Sequence, residues 1–326
     1  MKGFFTQGVA LLLESKVELE ELAPLLANFG EPRRIPGAPD WARGGESLLL
    51  PFLGGAGQLA IDIVDRPWPD EMGAGERGSA EEQPELLKAW TTGYFGPFAF
   101  PRAYERACRQ AWIWKEAQTE PPRHQAFIRV RTTYQFGEDG KSGPPPDEAN
   151  PLVELQALTA VTTALARHPA VVCYFNPSGE VVLPPTSLAE ATRWAEEQEL
   201  PPLDLWSNVR FLNLEGVADG WYLMDTVGMW QLDITDHEIV LPGKTYDFQE
   251  VEGFLRNVSL YLMNHGPVFD DGDTIDGPGG VNWRAMSCEE SFTAPPRPTI
   301  RWFAVDGTEA PPILADPQPL GDPQAN

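Results

Sequence analysis

Residues 220–280 decide the fold of this chain and read GWYLMDTVGMWQLDITDHEIVLPGKTYDFQEVEGFLRNVSLYLMNHGPVFDDGDTIDGPGG. The first part, 220–241, is rich in aromatic and β-branched residues, which favour strands. The middle part, 247–265, places apolar side chains at helical spacing. The last part, 270–280, mixes four carboxylates with glycine. This stretch therefore predicts two strands, one long amphipathic helix and an acidic turn.

The predicted helix carries signals at both ends. Asp247 and Glu250 have the spacing of a capping box, and Gly266 followed by Pro267 ends the pattern. Between these signals the apolar stripe consists of Val251, Phe254, Leu255, Val258 and Leu262. A stripe of this kind packs against a core, so we expect the helix to be structural.

The rest of the chain alternates strand and helix patterns. The order strand, helix, strand, strand occurs twice, at 4–13, 17–29, 47–53 and 58–64, and again at 124–136, 151–167, 170–175 and 180–183. Further helices are predicted at 84–94, 102–115 and 187–199, and further strands at 203–213, 221–224, 229–232, 238–241 and 297–305. We therefore predict an α/β (α+β) fold, in which two β-α-β-β-type modules form mixed sheets packed against helices.

Proline-rich segments suggest where the domains divide. The pair Pro121-Pro122 lies in a polar loop between the two modules, and the end of the chain is rich in Pro, Asp and Gln. We predict an N-terminal α/β domain at 1–118, a C-terminal α/β domain at 119–310 and a flexible tail at 311–326.

Charge is the strongest global signal. The chain has 48 Asp and Glu against 24 Lys and Arg, a net charge of −24. A field of this sign repels nucleic acid and anionic membranes, so neither is an expected partner, and it speeds docking to a basic protein. Solubility alone is the other explanation of such a charge.

Cysteines and the N-terminus predict a cytoplasmic protein. Cys108, Cys173 and Cys288 lie far apart without zinc-site spacing, which fits buried reduced thiols. The apolar run 3–13 resembles a short signal segment but lacks a small-residue cleavage site, which favours a buried strand. No apolar run approaches the length of a membrane span.

The acidic turn is the main candidate site. Its carboxylates are Asp270, Asp271, Asp273 and Asp276. Oxygen clusters suit Ca²⁺ or Mg²⁺, but the spacing does not match an EF-hand loop. The second interpretation is structural, in which the carboxylates cap backbone N–H groups. A surface offered to the arginines and lysines of a partner is the third interpretation, and we select it as the binding-site prediction.

Other polar and aromatic residues complete the predicted surface. The adjacent Asp236, His237 and Glu238 could be a general acid–base group or a polar strand end, and on a strand His237 faces away from its neighbours. We predict partner binding by Asp236 and Glu238, with Trp221, Trp230 and Trp283 as anchors. Nucleophile, zinc-protease, P-loop and dinucleotide motifs do not occur. We therefore predict no catalytic residue, no metal, no cofactor and no enzyme activity.

Several of these residues resemble a known family. They are Trp206 with Arg210, the segments 226–229 (TVGM), 232–233 (LD) and 237–239 (HEI), the helix end 257–266, the element 271–275 (DGDTI), the opening β-α-β-β order and 66–69 (RPWP). Together they resemble the bacterial family called domain of unknown function 4261. The resemblance implies an α/β fold and a frequent location near secretion and toxin loci. It implies no catalytic residues.

The charge and the resemblance together predict a cytoplasmic immunity protein. It would bind and neutralise a cognate toxin of a type VI secretion system, a basic nuclease, through its acidic surface. The alternatives are an effector adaptor or chaperone and a metal-dependent enzyme that uses the cluster at 270–276. The oligomeric state is left open by the sequence.

Overall fold

The computed structural model describes residues 4–37, 45–71, 83–135, 146–147, 149–214, 216, 218–243 and 245–315. The chain forms two compact units, Met1–Trp206 and Ser207–Asn326. The units divide between Trp206 and Ser207 instead of at the predicted boundary between 118 and 119. The predicted mixed α and β composition is confirmed.

Unit 1 contains seven strands and six α-helices among its described residues. In chain order they are β1 (Gln7–Leu13), α1 (Leu19–Leu22), β2 (Arg33–Ile35), β3 (Ser47–Phe52), β4 (Gly57–Val64), α2 (Gln83–Thr91), α3 (Ala103–Arg109), β5 (Ala126–Thr133), α4 (Pro151–Leu165), β6 (Val171–Asn176), β7 (Val181–Leu183), α5 (Pro185–Gln198) and α6 (Leu203–Trp206).

The two β-α-β-β modules share a single sheet. Its order is β2-β3-β4-β5-β1-β6-β7, and every neighbouring pair is antiparallel. Strand β1 of the first module pairs with β5 of the second, with Leu13 opposite Ala126, and β6 lies on its other side. This pairing places strands from both sides of the predicted boundary between 118 and 119 in one sheet.

Buried charges lie at the centre of this sheet. Arg129 donates to both oxygens of Asp62, from Nε at 3.0 Å and from Nη2 at 2.6 Å. Arg131 Nη2 lies 3.0 Å from Asp62 Oδ2, and its guanidinium lies 3.9 Å from the centre of the Phe5 ring. Because the three charged side chains are buried together, they favour the register that pairs β4 with β5.

Unit 2 has six strands and two α-helices in the part of the chain that is described. They are β8 (Asn208–Asn213), β9 (Trp221–Val227), β10 (Asp236–Pro242), α7 (Phe248–His265), β11 (Thr274–Asp276), β12 (Asn282–Cys288), β13 (Thr299–Ala304) and α8 (Pro312–Ala315). The sheet order is β11-β12-β13-β10-β9-β8. The pair β10–β13 is parallel and the others are antiparallel, so this sheet is mixed.

Helix α7 covers one face of this sheet as its sequence predicts. All five residues of the predicted stripe are buried, and four of them, all but Leu262, belong to one core cluster with Trp283 and Trp302. Asp247 accepts from Gln249 N at 2.9 Å, but Glu250 accepts from Gly279 N at 3.1 Å instead of completing the capping box. The long predicted helix is therefore confirmed, with one cap contact made to a neighbouring turn.

Several elements differ from their sequence patterns. The predicted strand 203–213 begins as helix α6, and 229–232 forms a 3-10 turn. Strands β11 and β12 were not predicted, because half of their ten residues are polar and no continuous apolar run marks them. The predicted tail contains α8, in which Leu314 is fully buried and its carbonyl accepts from Arg301 Nη1 at 2.9 Å. Residues 316–326 lie outside the described residues.

Candidate partner-binding surface

The acidic turn, 270–280, follows α7 and contains β11, and the backbone of β12 holds it in place. Ala285 N donates to Asp273 O at 2.8 Å, which extends the ladder between β11 and β12 beyond the strand. Asp271 Oδ1 accepts from Ser287 N at 3.0 Å, and Asp273 Oδ2 accepts from Asp270 N at 2.8 Å. The turn is therefore a fixed part of the sheet, with its carboxylates at defined positions.

All four carboxylates of the predicted site are exposed, namely those of Asp270, Asp271, Asp273 and Asp276. Two of them cap backbone N–H groups, as the structural interpretation of the turn predicted. Within the described ranges, no three His, Cys, Asp or Glu side chains come together as a group that could hold a metal ion. The turn thus presents its negative charges to solvent.

Apolar side chains that the sequence pattern does not single out border the acidic turn. Val268 is 45% exposed and directly precedes Phe269, whose ring lies 5.9 Å from that of Tyr261 on α7. Tyr261 is 46% exposed and stacks on His265 with ring centres 4.2 Å apart. Exposed apolar area beside charge is typical of protein interfaces. The carboxylates together with Tyr261, Val268 and Phe269 form what we call the acidic–aromatic surface.

Asp236 and Glu238 do not belong to this surface, because both are fully buried. They lie on β10 and face arginines: Arg301 Nε is 3.0 Å from Glu238 Oε2, and Arg297 Nε is 3.4 Å from Asp236 Oδ2. The prediction that these two carboxylates bind a partner is therefore corrected. Burial of a carboxylate requires a cation beside it, and sequence neighbours do not reveal that cation.

Asp225 on β9 is the centre of the same group of charges. Arg210 donates to both of its oxygens, from Nε at 2.9 Å and from Nη2 at 2.6 Å, and Arg297 Nη2 donates at 2.7 Å. Thr293 Oγ1 adds a fourth bond at 3.1 Å. We call this group the buried charge network; its members are Asp225, Asp236, Glu238, Arg210, Arg297 and Arg301. It joins β8, β9, β10 and β13, so its role is structural.

Burial sets the protonation of the residues around β10. It raises the pKa of Asp236 to about 6, although the Arg297 charge opposes this shift. Burial also opposes ionisation of Asp225, but Arg210 and Arg297 outweigh it and lower the pKa of that carboxyl. His237 faces away from both carboxylates, accepts from Trp302 Nε1 at 3.3 Å, and has its pKa lowered by burial to about 3. A neutral, fully buried histidine of this kind does not support the acid–base interpretation.

None of the three tryptophans predicted as anchors is an exposed side chain beside the acidic turn. Trp283 is fully buried, and its Nε1 donates to Pro278 O at 3.1 Å, so it is a core residue. Trp221 is half-buried on β9, which lies four strands from β11, or about 19 Å at the usual strand spacing. Trp230 is half-buried in the 3-10 turn after β9. The aromatic side chains beside the turn are instead Tyr261 and Phe269.

The fold and this surface define a two-unit α+β protein with an exposed acidic face. The model of the family described as Domain of unknown function (DUF4261) matches residues 225–303, which run from β9 to β13 in unit 2. This match supports the family resemblance over that range, including the DGDTI element. No match was found among curated proteins or among solved structures. No described helix has both the length and the apolar character that crossing a membrane requires.

Proposed function

We propose that the protein is an immunity protein that binds and neutralises a cognate bacterial toxin. The toxin is a basic nuclease delivered by a type VI secretion system, and the inhibitor acts in the cytoplasm. It works by binding alone, without catalysis of its own. The single observation that carries this proposal is the acidic–aromatic surface, on a chain with a net charge of −24.

The chemistry of that surface fits a nuclease. A nuclease holds its substrate through lysines and arginines that contact phosphates, so its binding face is basic. Separate carboxylates on a fixed turn can pair with several such cations, and bidentate arginine pairs are the strongest. The charge of the whole chain speeds the encounter, while Tyr261 and Val268 supply apolar area for the contact.

The two alternatives make different demands on the structure. A metal-dependent enzyme needs carboxylates that converge, and the described carboxylates form no such group. An effector adaptor would use the same surface for binding and would differ only in leaving the toxin active. Co-expression therefore separates it from an immunity protein.

The test is co-expression with the toxin encoded beside this gene. We expect the chain to rescue growth and to bind the toxin in a salt-sensitive complex. The double variant Asp271→Asn and Asp273→Asn keeps acceptor oxygens for the backbone bonds but removes two charges. It should weaken binding by about tenfold or more, mainly through slower association.

The matched control is Glu190→Gln with Glu196→Gln, which removes two exposed charges from α5 in unit 1. This control should bind nearly as well as the natural chain. Equal losses in both double variants would show that net charge alone matters. Binding without rescue would identify an adaptor, and absence of both would refute the proposal.

A further inference from the structure

We propose that the toxin is held by strand addition, with an extended basic segment of the toxin pairing along the open edge of β11. This inference rests on the proposed function and specifies how the acidic–aromatic surface engages its partner. It assigns a role to the backbone N–H and C=O groups of Thr274 and Asp276.

The hydrogen bonds around β11 show which of its backbone groups face outward. Ala285 N donates to Asp273 O at 2.8 Å, and Gly277 N donates to Val281 O at 3.0 Å. Backbone groups of an antiparallel strand turn to one partner at every second residue. Asp273, Ile275 and Gly277 therefore turn toward β12, so the N–H and C=O groups of Thr274 and Asp276 turn away from it. Both residues are exposed.

The other sheet edges are less suited to this partner. Strand β7 is buried along its whole length, and β8 contains the buried Val209 and Arg210. Strand β2 is exposed, but its own side chains, Arg33 and Arg34, are basic, and Arg34 already pairs with Glu20 and Glu46. Among the edge strands described, β11 alone combines exposed edge residues with negative charge.

Charge complementarity identifies the occupant. A residue of an added strand directly opposite Asp276 would have its Cβ about 5 Å away, within reach of a lysine or arginine pair. Asp270, Asp271 and Asp273 lie just before β11, where they extend the negative charge past the end of the strand. A second copy of this chain would bring the same carboxylates to the edge, and the repulsion disfavours pairing of two copies.

The length of β11 explains why charge is needed in addition to backbone pairing. The strand has three residues, and its two outward residues offer at most four backbone hydrogen bonds. Each such bond contributes modestly because it replaces a bond to water. Ion pairs at both ends of the added segment therefore select a basic strand over other extended chains.

The experiment uses the full chain and a fluorescent peptide of alternating lysine and valine as the probe. Proline at position 274 removes an outward N–H without removing a bond to β12, so Thr274→Pro should weaken peptide binding about tenfold, while Thr274→Val should not. In the natural chain, saturating peptide should slow hydrogen exchange at the amides of Thr274 and Asp276. This second measurement is independent of the variants.

Equal affinity for Thr274→Pro and Thr274→Val would overturn the strand-addition mode. Peptide binding without amide protection would also overturn it, as would absence of binding at millimolar peptide. Rescue from the toxin separates the two proposals. If the natural chain and Thr274→Pro rescue equally, strand addition fails and immunity stands; if the natural chain does not rescue, immunity fails whatever the peptide does.

Discussion

Neutralising Asp225 should strongly destabilise unit 2. Asp225 lies fully buried between Arg210 and Arg297, and its two oxygens accept the hydrogen bonds described above. The substitution Asp225→Asn preserves the size of the side chain but removes its charge. The asparagine NH₂ group also takes the place of an oxygen that accepts from a guanidinium group, so two hydrogen-bond donors face each other.

The expected loss follows from the charges that remain. In the natural chain, the positive charges of Arg210 and Arg297 are balanced by the negative charges of Asp225 and Asp236. After the substitution, Asp236 is the only one of the two carboxylates left, at 3.4 Å from Arg297 Nε. Removing one partner of a buried ion pair costs about 3–5 kcal/mol, because the other charge stays buried without compensation.

Urea unfolding of the full chain, followed by tryptophan fluorescence, measures this loss. The matched control is Asp276→Asn, the same substitution at an exposed carboxylate of unit 2, which should change the free energy of unfolding by less than about 0.5 kcal/mol. An Asp225→Asn variant that loses less than about 1 kcal/mol would refute the claim that this network is a tightly coupled set of buried charges.

Two further predictions concern the same unit. The pKa of His237 is about 3 in the folded protein, below the ordinary 6.5, so the unfolded chain takes up a proton first and unit 2 loses stability as the pH falls from 6.5. The pKa of Asp236 is raised from 3.8 to about 6 in the folded protein, so this carboxyl acts in the opposite direction. In urea unfolding from pH 7 to 4.5, the free energy of unfolding of His237→Asn should therefore rise relative to that of the natural chain by up to about 1.4 kcal/mol per pH unit. Parallel plots of stability against pH for the two chains would contradict this. Leu314→Ala should cost about 2–5 kcal/mol because Leu314 is fully buried, whereas Ile313→Ala, at a 38% exposed position, should cost little; equal midpoints in a thermal or urea scan would mean that α8 does not stabilise unit 2.

Local sequence patterns were sufficient to predict an element when that element alone carries the apolar face that it buries. Helix α7 was predicted because its stripe and both end signals lie within about twenty residues, and β3 and β4 were predicted from the apolar runs at 47–53 and 58–64. Strands β11 and β12 were not predicted because their exposed residues are polar and their buried residues, Trp283, Ala285 and Cys288, form no apolar run.

Long-range pairing could not be predicted from single segments. Asp236 and Glu238 look like surface residues in sequence, because the arginines that neutralise them are some sixty residues further along the chain. Trp283 looked like an exposed anchor beside the acidic turn, but its ring fills the core against α7. The carboxylates of the turn are exposed in the structure, and their role in partner binding stays a prediction. Their aromatic neighbours were missed because Tyr261 and Phe269 meet only once α7 has formed.

The central position of β1 has a consequence for synthesis on the ribosome. This strand is buried at every position, and both of its partners, β5 and β6, are made more than a hundred residues after it. At bacterial elongation rates of about 5–20 residues per second, the apolar strand waits on the order of ten seconds before β5 is available. During that time the nascent chain exposes an apolar, aggregation-prone segment, so efficient production should depend on chaperones that bind it.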